Sequence, residues 1–564
     1  MRRLLVILIV IAAAVYAAAP PGAPVLPPPP HAIAAPVRGA IHVHTRRSDG
    51  GSTIAEVARS AARAGLQFVI LTDHGDGTRP PDPPAYLDGV LVIDAVEIST
   101  DGGHVVALGL SGAPYPLAGE ARDVVEDVHR LGGFAIAGHP ASPKTDLRWS
   151  DWTVPIDGFE HLNGDSEWRD EFPWRLARAL IAYPVRPAEA LALLFDRADE
   201  VLRRWDAATR DRRVVAVAGA DAHARLGLAG GDEPNRDRVA LPVPSYDAVF
   251  RAFSIALPQA TLTSDPRVDG PAVVEEIRQG RVFSSVDALG SRPSFSFTAA
   301  SGPFRAVGGE ALALQGPVRV EVAVQAPPDV QIGLVRDGRQ LLDARGPALQ
   351  YDADAAPAVF RVEVKMPGAP GEPPVPWIVS NPIYVGRATG EGPPERTRNQ
   401  ATARTDLYTD GPAPEWTVER SASSQGAVDV VKSVGGTQIL FRYAIAGTAS
   451  SHPFAALVVP AGGTLPGHDR LTFRARSDRP MRLSVQVRAP GASPDGERWH
   501  RSVFVDTVPR EIAVFFDDMR PRGPTSAPRP PLERAQSVLF VVDTINTPAG
   551  TAGQVSLDDV RYER

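Results

Sequence analysis

Short apolar runs that end in polar residues alternate with helical stretches between residues 38 and about 290. The first helical stretch opens with Thr53 and Glu56, which fit a capping box, and stops at Gly65. A second, EARDVVEDVHRLGG, ends at Gly132. Strands that alternate with helices predict parallel βα units, and seven runs favour a closed barrel over an open sheet. The runs are AIHVHT, FVILTD, LVIDAVEIST, HVVALGL, FAIAGHP, GFEHLN and VVAVAGADAH.

The second half of the chain has strand-like runs separated by turns and no long helical pattern. Residues 291–388 predict a small β-sandwich, and residues 389–412 form a polar linker rich in Gly and Pro. About eight strand-like runs between residues 413 and 564 predict a jelly roll. Trp416 and Trp499 in this last region fit either a binding face or an ordinary core.

The N-terminus has the pattern of an export signal. Arg2 and Arg3 precede an apolar run from Leu4 to Ala19, which is shorter than the roughly 20 residues of a spanning helix. Residues 1–19 therefore predict a cleaved signal peptide or, alternatively, an uncleaved membrane anchor. Residues 20–37 form a Pro-rich linker. Either alternative places the body of the protein outside the cytoplasm, periplasmic or secreted, and only the anchor would bind it to a membrane.

Composition limits the chemistry that is available. The 564 residues are too many for one ordinary domain, and the net charge of -7 gives no strong signal for nucleic-acid backbone binding. The chain has no cysteine, so it can form neither disulfides nor thiolate metal sites. Any bound metal must use His, Asp and Glu.

Ionisable residues gather at the ends of the predicted barrel strands. His42 and His44 stand at i and i+2, so in a regular strand both imidazoles project from the same face. The same spacing recurs at Asp221 and His223. A single His at a strand end is usually a turn or core residue, but so many acids and imidazoles at strand ends predict one metal site at the barrel mouth. The other members of this pattern are Asp49, His74, Glu97, His104 and His139.

The segments HVHTRRSDGGST, FVILTDH, AVEISTDGGHVVALGL, GHP and ADAH resemble the PHP (polymerase and histidinol phosphatase) metallohydrolases. The resemblance covers residues 38–290 and implies a distorted (β/α)7 barrel with a trinuclear metal site. The following sandwich, with WIVSNPIYVG, resembles the extracytoplasmic CehA/McbA-type branch, in which some members hydrolyse carbamate esters. The ending SLDDVRYE resembles galactose-binding-like jelly rolls of carbohydrate-binding modules.

The resemblance also implies a role for each matching residue. Glu97 would bridge two metals, and Glu97, Asp221 and His223 would be the catalytic residues. Asp73 would orient ligands from behind, His161 is an additional candidate ligand, and Glu160 beside it is either a supporting or a structural residue. Arg46, Lys144 and Arg225 are candidates for a substrate clamp. The implied ligands are His42, His44, Glu97 and Asp221 for the first metal, Glu97, His104 and His139 for the second, and Asp49, His74 and His223 for the third.

These observations predict a hydrolase with two or three divalent ions, Mn, Fe or Zn. A phosphoesterase that uses a metal-activated hydroxide on a small phosphate ester is the main hypothesis. The alternatives are a carboxylic or carbamate ester hydrolase on the same site, an exonuclease-like PHP nuclease, and a surface or glycan-binding protein with a vestigial barrel. The C-terminal domain is also a candidate for contact with glycans.

Overall fold

The computed structural model describes residues 15–16, 19–28, 33–227, 240–387, 401–412, 414–433, 435–447, 452–492 and 495–564. The chain divides into two compact units. The first comprises residues 1–111 and 120–394, and the second comprises residues 112–119 and 395–564. Most of the predicted signal segment lies outside the described residues. Among those that are described, no helix is both long and apolar enough to cross a bilayer.

The first unit contains both helices and strands. Its helices are α1 Ile54–Ala64, α2 Ala121–Arg130, α3 Pro173–Ala182, α4 Pro187–Ala192, α5 Asp199–Ala208, α6 Tyr246–Ala252 and α7 Pro266–Arg278. Its strands up to residue 290 are β1 Val37–Val43, β2 Phe68–Leu71, β3 Ala85–Leu87, β4 Val90–Asp94, β5 Val96–Thr100, β6 Gly103–Leu108, β7 Phe134–Gly138, β8 Gly158–Asn163, β9 Val215–Ala222, β10 Leu226–Gly227, β11 Ala240–Leu241, β12 Ser254–Leu257 and β13 Phe283–Ser285.

The seven predicted runs are all strands of one closed sheet. Strands β7, β8, β9, β1, β2 and β4 lie side by side and parallel, whereas β5, β6 and β7 pair antiparallel. The ring closes where β4 runs on into β5 and a single parallel bridge joins His74 to Glu97. The buried strands pack against helices such as α1, whose capping box of Thr53 and Glu56 is present and which ends at Gly65 with a φ of 72°.

The region 291–388 adds the strands of a sandwich, and they share a core with the edge of the barrel sheet. Strand β13 pairs with β12 on one side and with β22 on the other, so hydrogen-bonded sheet continues across the predicted boundary at residue 290. A separate four-stranded sheet has the order β15-β14-β17-β20. The strands are β14 Phe295–Ser301, β15 Phe304–Val307, β16 Ala311–Leu312, β17 Val318–Val324, β18 Gln331–Arg336, β19 Arg339–Arg345, β20 Ala348–Ala353, β21 Ala358–Lys365, β22 Ile378–Ser380 and β23 Ile383–Val385.

The described part of the predicted N-terminal linker lies against this first unit. Ser291 Oγ donates to the Pro24 carbonyl at 2.9 Å, the Ala23 N–H donates to Glu189 Oε1 at 3.4 Å, and Leu26 packs against the core of the sandwich strands. Proline carbonyls accept hydrogen bonds although the ring has no N–H to donate. Residues 20–28 are therefore attached to the fold rather than acting as a free tether.

The second unit consists of two antiparallel six-stranded sheets around an apolar core. Strand β24 falls within the predicted linker 389–412 and pairs with β35 instead, while residues 388–400 lie outside the described residues. Trp416 and Trp499 are buried core residues, 8% and 0% exposed. The strands are β24 Arg404–Tyr408, β25 Thr417–Arg420, β26 Gln425–Ser433, β27 Gly436–Ala444, β28 Phe454–Pro460, β29 Arg470–Ser477, β30 Met481–Ala489, β31 Glu497–Val505, β32 Arg510–Phe515, β33 Arg520–Pro521, β34 Ser537–Asp543 and β35 Ala552–Glu563.

Candidate metal centre

One end of the barrel brings all nine predicted ligands together. Their nitrogen and oxygen atoms form overlapping groups in which the atoms lie within 4.8 Å of one another. Each group draws on loops and strand ends that are far apart in the sequence. His42 lies in β1 and His44 follows it, Asp49 is in the next turn, His74 follows β2, Glu97 and His104 are in β5 and β6, His139 follows β7, Asp221 is in β9, and His223 follows it.

Four donor atoms lie next to one another at the centre of this cluster. The Nε2 atoms of His42 and His44 each lie 3.2 Å from Glu97 Oε2 and 3.4 Å from Asp221 Oδ1. All four side chains are buried, with exposures of 0% to 5%. This set is the one that the PHP resemblance implies for a first metal.

The spacing of these atoms fits a metal better than it fits hydrogen bonds. Among the described residues, His42 Nε2 and His44 Nε2 are buried and have no hydrogen-bond partner, although both face carboxylate oxygens. Ligands about 2.0–2.1 Å from a tetrahedral cation stand roughly 3.3 Å from one another. The four nitrogen–oxygen separations of 3.2–3.4 Å are close to that edge length, so the residues present fit a divalent ion.

Glu97 connects this set with a second group of donors. Its Oε1 lies 2.8 Å from His104 Nδ1 and 2.9 Å from His139 Nε2, while its Oε2 faces His42 and His44. One carboxylate therefore offers an oxygen to each group, as the predicted bridging role requires.

The third group is the most open to solvent. Asp49 Oδ2 lies 3.2 Å from His223 Nε2 and 3.6 Å from His74 Nε2, and these three side chains are 23% to 33% exposed. His74 Nδ1 also lies 3.3 Å from Glu97 Oε2. The distances therefore place His74 within reach of both the third group and Glu97, whereas the sequence assigned it to the third group alone.

Backbone conformation at the site departs from regular strand geometry. His42, His139 and Asp221 have φ values of 66°, 31° and 43°, in the left-handed region that side chains other than glycine rarely adopt. The pairings of β1 shift register around His42. His42 and His44 do converge, with ring centres 5.2 Å apart, but they do so through a bulge rather than simple strand alternation. Such strain is typical of functional sites.

Glu160 holds two of the histidines from behind. Its Oε1 lies 2.6 Å from His42 Nδ1, and its Oε2 accepts the His139 N–H at 2.8 Å and the Asn163 side-chain amide at 2.7 Å. A Cβ at Gly219 would lie 2.0 Å from Glu160 Oε1, so a glycine is needed there. Partners of this kind orient metal-ligating imidazoles. The sequence had left Glu160 open between a supporting and a structural role.

Two further residues fix the loops that carry ligands. Asp73 accepts from the Thr45 N–H and hydroxyl, both at 2.7 Å, and from the Ser48 hydroxyl at 2.8 Å, so it organises the turn before Asp49. The Tyr246 hydroxyl lies 2.8 Å from the His44 carbonyl and 3.0 Å from the His223 carbonyl. The supporting role of Asp73 was predicted, but Tyr246 has no local sequence signal because it lies in a helix outside every motif.

His161 is not placed among the donor atoms. It borders a small cavity with Arg197, Ser284 and Trp377. It belongs to none of the donor groups, which include the partners of its neighbour Glu160. Burial lowers the pKa of His161 to about 4, although the Glu363 carboxylate opposes that shift. The expectation of an additional ligand is therefore corrected, because successive strand residues point to opposite faces.

The three predicted clamp residues differ in exposure and in contacts. Arg46 is exposed and donates from Nε to the Gly51 carbonyl at 3.0 Å, Lys144 is exposed, and Arg225 is half-buried. Their role as a substrate clamp stays a prediction.

The electrostatics of the cluster favour added positive charge. Burial alone would lower the pKa of His42, but the carboxylates of Asp221, Glu160 and Glu97 outweigh it and raise that pKa well above its usual value. Burial would conversely raise the pKa of Asp221, but His42, His44 and His223 hold it well below its usual value. In the described part of the chain, every ion-pair partner of Glu97 and Asp221 is a histidine. Positive charge is stabilised here as protons on imidazoles or as a bound cation.

Comparison with known proteins returns similarity to carbohydrate-binding modules. No family model and no curated protein matches the chain. A family 11 module of a cellulosomal cellulase from Clostridium thermocellum is 18% identical over 29% of this chain and 95% of its own, with a TM-score of 0.24. A family 30 module is 12% identical over 28% and 98%, with a TM-score of 0.22. Scores this low support no statement about ligand or family, and the sandwich architecture of the second unit rests on its own two sheets.

Proposed function

We propose that the first unit is a metal-dependent hydrolase of the PHP type that acts as a phosphoesterase on a small phosphate ester. One observation carries the proposal: the buried Nε2 atoms of His42 and His44 each lie 3.2 Å from Glu97 Oε2 and 3.4 Å from Asp221 Oδ1, and neither nitrogen has a hydrogen-bond partner among the described residues. A buried set with this chemistry is costly unless a cation completes it.

His42, His44, Glu97 and Asp221 would hold one divalent ion, and the groups around His139 and Asp49 would hold others. A divalent metal bound there would lower the pKa of a coordinated water and neutralise charge that develops on phosphoryl oxygens. Mixed imidazole and carboxylate donors suit Zn, Mn or Fe.

The remaining residues act on the protein side of this chemistry. Glu160 fixes the orientation of His42 and accepts from the His139 N–H, and Asp73 holds the turn that presents Asp49. The exposure of Asp49, His74 and His223 makes this the side from which a substrate would enter. The placement of the protein outside the cytoplasm rests on the N-terminal sequence and is part of the proposal.

Hydrolysis of carboxylic or carbamate esters is the alternative on the same donor set, and a nuclease activity is a second. The glycan-binding alternative with a vestigial barrel predicts that the barrel binds no metal. The complete donor set argues against that alternative.

The test uses the full chain, loaded separately with Mn, Fe and Zn. We expect metal content above one ion per chain and turnover of p-nitrophenyl phosphate or bis(p-nitrophenyl) phosphate faster than that of a p-nitrophenyl carbamate ester. Faster cleavage of the carbamate would favour the ester-hydrolase alternative over the phosphoesterase. Folded, metal-loaded chain that cleaves none of the three would contradict hydrolysis.

A histidine outside the cluster provides the matched control. His129 Nε2 lies 2.8 Å from Asp157 Oδ2 on the flank of the barrel. His129→Ala removes one imidazole, as His42→Ala does, but should leave metal content and turnover unchanged.

A further inference from the structure

Helix α3 turns apolar side chains outward. Phe172, Trp174, Leu180, Ile181 and Val185 are 65%, 62%, 63%, 54% and 37% exposed, and we call these five residues the α3 face. Only Ala179 and Ala182 of the helix are buried. The helix thus places its larger apolar groups in solvent and its smallest ones in the core, the reverse of an ordinary surface helix.

These residues form a cluster rather than a scatter. Among the described residues, twelve large hydrophobic side chains are exposed, and five of them fall in the fourteen positions from 172 to 185. Single exposed apolar residues need no explanation, but five on one short helix and its ends indicate a surface that contacts something apolar.

The position of Tyr16 indicates what that something is. The guanidinium carbon of Arg186 lies 5.1 Å from the centre of the Tyr16 ring, and the same guanidinium donates to the Pro20 carbonyl. Arg186 directly follows Val185 of the α3 face. Tyr16 belongs to the apolar run Leu4–Ala19, so a described part of that run lies beside this face.

We propose that the α3 face rests in the interfacial zone of a lipid bilayer, next to a retained N-terminal apolar segment. Trp and Phe at one end of the helix and aliphatic groups at the other suit the headgroup and acyl boundary. Arg178, exposed on the same helix, can extend its charge toward water while its methylenes stay in the apolar layer. The proposal is independent of the metal centre.

The experiment uses single thiols in the full chain, which has no cysteine of its own. Ile181→Cys and Val268→Cys each receive an NBD fluorophore, and the labelled proteins are mixed with phosphatidylcholine vesicles containing acyl-brominated lipid. Val268 is the matched control because it lies on helix α7 and is 53% exposed against 54% for Ile181. We expect blue-shifted and quenched emission for the Ile181 label only.

Three results would overturn the proposal. The Ile181 label could stay in water while the protein floats with vesicles, which would leave the N-terminal segment as the sole anchor. Its emission could be blue-shifted before lipid is added and independent of protein concentration, which would indicate that residues 4–14 cover the face. A blue shift that grows with protein concentration without lipid would indicate a second copy.

A second measurement needs no thiol. Brominated lipid should quench the intrinsic fluorescence of the full chain, and Trp174→Phe should remove that quenched component. Equal quenching in wild type and Trp174→Phe would count against the proposal.

Discussion

The first unit contains two buried clusters of charged side chains that are built on opposite plans. In one, Arg361 pairs with Asp206 through two hydrogen bonds of 2.6 and 2.8 Å and with Glu363 at 2.6 Å, and Arg197 adds two bonds to Glu363 at 2.8 and 2.9 Å. The two guanidinium groups bond two buried carboxylates, and Arg197 also pairs with the partly exposed Asp199, so the cluster satisfies its charges and hydrogen bonds with its own side chains.

The barrel mouth has carboxylates and imidazoles but no guanidinium in its ion pairs, among the residues that the structure describes. Nitrogens of His42 and His44 are buried without hydrogen bonds, and three of the residues have positive φ values. The first cluster balances its charges with its own side chains, whereas the second presents donor atoms that suit a bound cation. Breaking the first should cost stability, and breaking the second should cost metal and activity.

The largest expected effect is on catalysis. Asp221→Asn removes a charged donor from the central four, and metal-dependent turnover should fall by about 10³-fold or more, because charge stabilisation of this kind contributes several kcal/mol. Metal content by mass spectrometry and phosphate-ester turnover check it, with His129→Ala as the control. Full turnover in Asp221→Asn would reject the ligand assignment.

The next effect is on stability. Arg361→Met leaves Asp206 and Glu363 buried with one cation fewer, and the free energy of unfolding should fall by about 3–5 kcal/mol. Urea unfolding measures this, and the folded protein should retain wild-type turnover. Arg319→Met, which breaks an exposed pair with Asp352, should leave the unfolding midpoint unchanged. If Arg361→Met lost turnover without losing stability, the purely structural role assigned to this cluster would be contradicted.

A smaller effect is expected behind the metal centre. Glu160→Gln keeps the shape of the side chain that touches His42 and should weaken metal binding by about 10–100-fold. Turnover should therefore return at high metal concentration, which separates a positioning residue from a ligand. Glu200→Gln, on the exposed side of helix α5, is the control. Unchanged metal affinity in Glu160→Gln would show that the residue contributes to packing and does not position the metal ligands.

The last prediction is a pH dependence of the complete cluster, which is confined to acid conditions. Burial would raise the pKa of Glu363, but Arg197 and Arg361 outweigh it and lower that pKa to about 2 from 4.5. Because the unfolded state binds the proton more tightly, this group stabilises the fold above pH 4.5, and the contribution is lost as pH falls toward 2. Urea unfolding in that range should show a shallower acid loss in Glu363→Gln than in wild type. Identical slopes would contradict the shifted pKa.

Local patterns predicted seven strand runs of the barrel, helices α1 and α2, and the neighbours in its site. Strand-end residues such as His42, His139 and Asp221 meet because the strands of a barrel end on a common rim. The bulge at His42 was not predictable, because a positive φ at a histidine leaves no mark in the sequence. Tyr246 was missed for a similar reason, since its contact joins a helix to two distant loops.

Long-range pairing explains the other differences. The polar residues of strand β24 predict a linker, yet the strand pairs with β35 at the far end of the chain. The region from residue 291 continues the barrel's sheet through β13 and β22, and a turn-rich sequence shows no such pairing. The Pro-rich segment looked like a tether because composition does not reveal carbonyl acceptors such as that of Pro24.

Anomalous scattering from crystals of the full chain grown with Mn or Zn is the most direct test of the central claim. A peak equidistant from His42 Nε2, His44 Nε2, Glu97 Oε2 and Asp221 Oδ1, with further peaks beside His139 and Asp49, is the expected result. Well-ordered crystals with the barrel mouth intact and no peak among those four atoms would contradict the account.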